Sequence, residues 1–118
     1  AYEPCGLNQL YSLKYGTVPV VRATGGLKDT VADANDDNLW HQRATGFVFE
    51  NYTTHEMEVA LGRALNSYHH QTERWQQIVE TGMQQDWSWR KSALEYVELY
   101  QDVHERRVEQ YERLQAML

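Results

Sequence analysis

The chain has 118 residues, enough for one small domain with a modest core, and a composition of 42% hydrophobic and 24% charged residues. That balance, with seven Gly and two Pro, excludes disordered, collagen-like and low-complexity classes, and no apolar run approaches the roughly 18 residues that span a bilayer. The net charge is −6, and residues 1–50 (four Lys/Arg, six Asp/Glu) and 51–118 (seven against eleven) both lack the basic footprint of a nucleic-acid binder.

In chain order, residues 7–15 predict a helix with Leu7, Leu10, Tyr11 and Lys14 on one face, stopped by Gly16. The apolar run Val18-Pro19-Val20-Val21 predicts a buried strand, with Pro19 near its start where a missing N–H is tolerated. Thr24-Gly25-Gly26 predicts a tight turn, and 27–33 a short helix. Residues 34–45 read as polar and irregular, and 46–49 as a second short strand. Thr53 or Thr54 caps a helix to about Asn66, with Met57, Ala60, Leu61, Ala64 and Leu65 inward. Another helix follows near 70–84, with Trp75, Ile78, Val79 and Met83 at helical spacing. Ser88 caps a last helix in which Trp89, Ala93, Tyr96, Val97, Tyr100, Val103, Tyr111, Leu114 and Leu118 keep that spacing to the end.

The resulting order, α-β-α-β-α-α-α, has too few strands for a free-standing parallel sheet, so more strands are expected outside the chain. The opening Ala-Tyr-Glu-Pro-Cys-Gly-Leu lacks Met and runs straight into a motif, as expected for a portion of something longer.

Residues 3–31, EPCGLNQLYSLKYGTVPVVRATGGLKDTV, carry the chemistry. This segment closely resembles the donor-site segment of bacterial glycogen synthases and plant starch synthases. TGFVFE (45–50) and DWSWRKSALEYVELY (86–100) are similar to the end of the same family, in the same order, so the resemblance runs to about residue 102. The fold class it implies is α/β. The chain would supply the C-terminal part of a two-domain glycosyltransferase: a partial Rossmann-like domain, helix-rich, with a long C-terminal helix. Residues 1–85 would belong to the nucleotide-sugar-binding domain, and 86–118 would form the terminal crossing helix and a helical tail.

The resemblance implies transfer of glucose from ADP-glucose to the non-reducing end of an α-1,4-glucan, with retained configuration. It places Glu3 against the transferred glucose, where a carboxylate accepts sugar hydroxyl bonds and stabilises positive charge at the anomeric carbon. The backbone N–H groups of Cys5 and Gly6 would contact sugar hydroxyls.

Residue chemistry points to the same place. In open α/β sheets, ligands bind beyond the carboxyl ends of strands, beside helix N-termini. Gly6 lets a ligand approach the backbone, and the first N–H groups of the following helix, near Leu7 and Asn8, have no intrahelical partner and suit a diphosphate. Thr24, Gly25 and Gly26 either line the donor cleft, as the resemblance implies, or form a plain strand-to-helix turn.

Related retaining transferases carry a second Glu eight positions after the first. Tyr11 stands there, a departure that fits the glycogen/starch synthase branch, and helix packing beside Leu7 and Leu10 is the reading it favours. Cys5, near a helix N-terminus, has no neighbouring His to act as its base, so backbone contact and packing explain it better than nucleophilic catalysis. As the single cysteine it forms no internal disulfide, which fits a reducing compartment.

His69 and His70, about 100° apart on a helix, do not readily share one metal ion and belong to a solvated face. Trp87 and Trp89 are expected to pack rather than to stack on sugars. Asn51-Tyr52-Thr53 has the glycosylation pattern, which a cytoplasmic enzyme does not present for modification. Glu105 to Arg113 reads as a solvated helix face opposite Val108, Tyr111 and Leu114.

No metal or organic cofactor is required by anything in the sequence. The expected partners are a nucleotide-sugar donor and an α-glucan acceptor in the intact enzyme, without nucleic acid or membrane. The expected location is the bacterial cytoplasm, or the plastid stroma for a plant homologue. Apolar surface left uncovered at the cut sheet and along the last helix makes self-association of the chain an expectation. The competing reading is a non-catalytic helical interaction or oligomerisation module derived from a glycosyltransferase.

Overall fold

The computed structural model describes residues 6–118. Its elements in chain order are α1 (Asn8–Lys14), β1 (Val20–Arg22), α2 (Gly25–Thr30), α3 (Asp36–Trp40), β2 (Phe47–Phe49), α4 (Thr54–His70), α5 (Thr72–Gln84) and α6 (Trp89–Ala116). The chain divides into two units between Gln85 and Asp86.

In the first unit the two strands run parallel, with Val20 opposite Phe47, Val21 opposite Val48 and Arg22 opposite Phe49. Parallel strands need a crossover, and α2 and α3 lie in this one. Next to β2 the chain at Asp33 makes a parallel bridge to Gly46, with Ala34 N–H donating to Gly46 O at 2.8 Å. This helix-rich arrangement with a small two-stranded sheet and a long C-terminal helix is consistent with a partial, not fully formed, Rossmann-like domain.

The core gathers Ala44, Phe47, Ala64 and Ile78, with Val18, Val20, Ala34, Leu39 and Trp75 packed around them. Phe47 stacks on Trp75 with ring centres 6.4 Å apart, and Tyr68 meets Trp75 edge-on at 5.2 Å.

Several expectations are refined. The stretch 34–45 is not wholly irregular, because Asn35 caps α3 by accepting the Asn38 N–H at 2.8 Å, and Asp36 and Asp37 in its first turn suit the helix dipole. Helix α1 buries Gln9 and Leu13, whereas Leu7 and Tyr11 are exposed, so its inner face is rotated from the apolar stripe. Gly16 ends it with φ of +78°, a conformation other residues rarely adopt.

Helix α4 extends to His70 and buries Ala60, Ala64 and Ser67, leaving Met57, Leu61 and Leu65 substantially exposed. Its cap is Thr53, whose hydroxyl accepts the Glu56 N–H at 3.2 Å. Glu56 turns back to accept the N–H groups of Glu50 (3.1 Å) and Asn51 (2.7 Å), and also the Asn51 side-chain amide. Gln71 alone separates α4 from α5, which buries Ile78 and Gly82.

The second unit is α6, 28 residues long, capped by Ser88 as its sequence indicates. Trp87 and Trp89 do not pack inward: both are exposed, as are Tyr96, Tyr100, Val108, Tyr111 and Leu114. Its ion pairs, Arg106 with Asp102 at 2.9 Å and Arg113 with Glu109 at 3.8 Å, are exposed i,i+4 pairs that contribute little to stability. Among the described residues no helix is long and apolar enough to cross a membrane.

Candidate functional site

Glu3 and Cys5, the residues the motif assigns to the transferred sugar, lie outside the described residues. The remaining candidates form two turns.

The first turn is Gly6-Leu7-Asn8. Gly6 has φ of +64°, so the chain enters α1 through a left-handed conformation that favours glycine. Leu7 is the helix N-cap without a side-chain cap bond, and Asn8 is the first helical residue. Leu7 and Asn8 are exposed. With only seven residues, α1 offers a short dipole, so what it presents to a ligand is chiefly its first-turn N–H groups.

The second turn is Thr24-Gly25-Gly26, directly after β1. Gly25 and Gly26 are not a free loop: they are the first two residues of α2, with Thr24 as the extended N-cap. Gly25 has φ of +50°, so this helix too is entered through a left-handed glycine. The Thr24 carbonyl accepts the Leu27 N–H at 3.1 Å, and its own N–H donates to Arg22 O at 2.9 Å.

The structure links the two turns through a residue that the apolar pattern of α1 left out. Gln9 is 4% exposed. Its side-chain amide donates to the Gly6 carbonyl at 2.8 Å and to the Thr30 hydroxyl at 3.1 Å. The Thr30 hydroxyl in turn donates to the Gly26 carbonyl at 2.7 Å. Gly6 and Gly26 therefore sit at opposite ends of one hydrogen-bonded chain, with the second turn at the carboxyl end of β1, where open α/β sheets bind ligands. Arg22, the last residue of β1, reaches the loop after β2: it donates to Glu50 O at 3.2 Å and its guanidinium lies 5.1 Å from the Tyr52 ring centre.

Away from these turns, Tyr11 points to solvent, 58% exposed. His69 packs edge-on against Tyr68, and among the described residues no three His, Cys, Asp or Glu side chains are placed to hold a metal ion. An open cavity of about 400 Å³ between β2 and α4 is lined by His55, Glu56, Val59 and Arg63, and contains none of the candidate residues.

No protein-family model matches the chain. It is 52% identical over 99 residues to a glycogen synthase of Rhodopirellula baltica, covering 84% of this chain and 20% of that enzyme. It is 57% identical over 99 residues to a glycogen synthase of Syntrophotalea carbinolica, with the same coverage. Among solved structures it resembles the catalytic domain of starch synthase IV from Arabidopsis thaliana, bound to ADP and acarbose. The TM-score there is 0.74 and the identity 42%, over 86% of this chain and 20% of that one. The chain thus spans about a fifth of the length of the relatives it matches. At such identity over most of its residues, the chain belongs by homology to the glycogen/starch synthase family of glycosyltransferases, consistent with a C-terminal fragment of such an enzyme.

Proposed function

We propose that this chain carries part of the nucleotide-sugar site of a retaining glucosyltransferase that moves glucose from ADP-glucose to the non-reducing end of an α-1,4-glucan. The observation that carries this reading is the hydrogen-bonded link between the Gly6 turn and the Gly25-Gly26 turn that follows β1, in a chain 42% identical to a starch synthase bound to ADP. Residues 1–85 would form the donor-binding part, and 86–118 the crossing helix and tail.

In this reading Cys5, Gly6, Leu7 and Asn8 approach the sugar and diphosphate with backbone N–H groups, and Thr24, Gly25 and Gly26 form the facing wall. Glycine at both turns keeps side chains out of the ligand's way. The bond from the anomeric carbon to the diphosphate breaks as an acceptor hydroxyl attacks from the same face, its proton passing to the departing diphosphate oxygen as ADP leaves, and Glu3 stabilises the positive charge that develops on the sugar. No protein nucleophile is assigned. A cytoplasmic location in bacteria, or a stromal one in plants, goes with this reading.

The test is Glu3→Gln in a full-length synthase containing this segment. The charge is lost and the size kept, so kcat should fall about 10²–10³-fold, with a smaller change in donor KM. Near-normal kcat removes Glu3 from the mechanism. The 118-residue chain by itself should not elongate glycogen with labelled ADP-glucose, and clear turnover would overturn its assignment as a partial site.

A second reading, a helical interaction module, draws on α6, whose apolar side chains are exposed along its length. An absence of donor binding by a full-length protein containing this segment would favour it.

A further inference from the structure

We propose that Gln9 is a positioning residue of the donor site, setting the orientation of both glycine turns through Thr30. This rests on the reading that those turns line the site.

Gln9 is polar, yet it is one of the most buried residues of the first unit, at 4% exposure. A buried amide is costly unless its hydrogen bonds are made. Two of them are made to the segments the donor reading needs. The Gly6 carbonyl only accepts, so the nitrogen end of the Gln9 amide must face it, and this fixes which way the amide is turned. That nitrogen also donates to the Thr30 oxygen, so the single Thr30 proton is left to go to the Gly26 carbonyl. The chain of bonds therefore has one direction: amide to hydroxyl to carbonyl.

The geometry of the peptide unit gives this a consequence at the ligand. In a planar trans peptide, C=O and N–H point opposite ways. Holding the Gly6 carbonyl toward buried Gln9 turns the Leu7 N–H away from it, toward the exposed mouth of the turn. Leu7 N–H is one of the groups assigned to the diphosphate. Holding the Gly26 carbonyl fixes the Gly26–Leu27 peptide plane, whose N–H closes the first turn of α2 onto Thr24 O at 3.1 Å. Gln9 thus acts on donor-facing groups without touching the donor.

The test uses a full-length synthase containing this segment, with Gln9→Met, Gln9→Glu, Thr30→Val and Thr30→Ser. Gln9→Met keeps length without hydrogen bonds, and Gln9→Glu puts an acceptor where a donor is needed. Measured are KM for ADP-glucose, Kd for ADP, KM for glycogen and thermal stability. Misplacing donor-facing groups by about 1 Å costs up to about 10²-fold. Both Gln9 variants should therefore weaken ADP-glucose and ADP by about tenfold or more, with glycogen KM within about twofold of the parent. Thr30→Val should show part of the same donor effect, and Thr30→Ser, which keeps the hydroxyl, should restore donor KM.

Unchanged donor KM and ADP affinity in Gln9→Met overturns the proposal, and so do equal changes in donor and acceptor KM that track a fall in stability. Should the Gln9 variants not fold, the Thr30 pair decides: a raised donor KM in Val that Ser restores supports the proposal, and no donor effect in either overturns it. Failure of the donor-site reading has its own signature, near-normal kcat in Glu3→Gln, which is independent of the Gln9 result.

Discussion

Asp33 and Arg63 form a two-pronged ion pair, Nη1 to Oδ1 at 3.1 Å and Nη2 to Oδ2 at 3.0 Å, beside the edge of β2 that faces away from β1. The same Asp33 Oδ1 accepts the Val48 N–H at 2.8 Å, so a side chain takes the place that a further strand's carbonyl would fill. Arg63 also donates to Ala34 O at 3.0 Å and lies 5.4 Å from the Phe47 ring centre.

Asp33→Ala removes the acceptor for a part-buried N–H as well as the ion pair, and should destabilise the fold by about 1–3 kcal/mol. Asp33→Asn keeps an oxygen for Val48 and should cost less. Arg63→Met, which removes a half-exposed partner, should cost less than Asp33→Ala. Urea denaturation of the three variants gives the order, and an Asp33→Ala midpoint equal to the parent's would show that Val48 finds another acceptor.

Two glycine substitutions should differ. A Cβ at Gly46 would sit 2.6 Å from the Pro19 carbonyl oxygen and 2.7 Å from a Val31 methyl, so backbone must move. Gly46→Ala is expected to lose about 1–3 kcal/mol. At Gly82 the only contact under 3 Å is with a methyl at the far end of the Leu13 side chain, at 2.9 Å, the Leu13 Cβ and Cα lying at ordinary distances of 3.7 and 3.8 Å. Alanine gains about 1 kcal/mol of helix propensity over glycine, so Gly82→Ala should come out near neutral. Thermal melts of the two variants check the contrast.

The Glu56 carboxyl is held below its ordinary value of 4.5, first by the Asn51 side chain, then by the N–H groups of Asn51 and Glu50. A carboxyl lowered in the folded state contributes stability that is present above its unfolded pKa and lost as pH falls through the folded one. The loop-to-α4 junction should therefore loosen below about pH 4.5, and Asn51→Ala should raise the Glu56 titration midpoint. A carboxyl-resolved NMR titration measures both, and an unchanged midpoint in Asn51→Ala would remove Asn51 as the cause.

Exposed apolar side chains along α6, among them Trp89, Tyr96, Tyr100, Tyr111 and Leu114, should make the 118-residue chain self-associate at low micromolar concentration. Light scattering after size exclusion tests this, and a monomer across a wide dilution series would refute it.

Periodicity and caps made much of this architecture legible. Thr53 and Ser88 start their helices, Gly16 stops α1, and β2 lies within its apolar run, while β1 begins two residues into its run, ends one beyond it at Arg22, and is half-buried rather than buried. Helix α3 was hidden because its five residues are too few to show apolar spacing, although Asn35-Asp36-Asp37 forms its start signal. The buried face of α1 departs from its apolar stripe, and in α4 Ala60 and Ala64 are buried as expected while Met57, Leu61 and Leu65 are not, because hydrophobicity alone does not fix which face is buried. In both helices a polar residue, Gln9 or Ser67, turns inward, and small Ala60 and Ala64 approach the core where Leu61 and Leu65 do not. The glycine turns of the candidate site were legible as a motif, but the amide that joins them was not. A hydrogen bond across 21 residues, from Gln9 to Thr30, leaves no periodic trace.

The stacking of Phe47, Trp75 and Tyr68 also gives the first unit an optical reporter. Trp75 is partly buried between two aromatic rings, while Trp40 and Trp89 are 85% and 86% exposed and Trp87 is 47% exposed. A polar quencher in solution reaches those three indoles more freely than it reaches Trp75. The fluorescence that survives high quencher concentration therefore comes chiefly from Trp75, at blue-shifted wavelength. Its loss on heating or in urea reads the separation of the Trp75 ring of α5 from Phe47 of β2 and Tyr68 of α4.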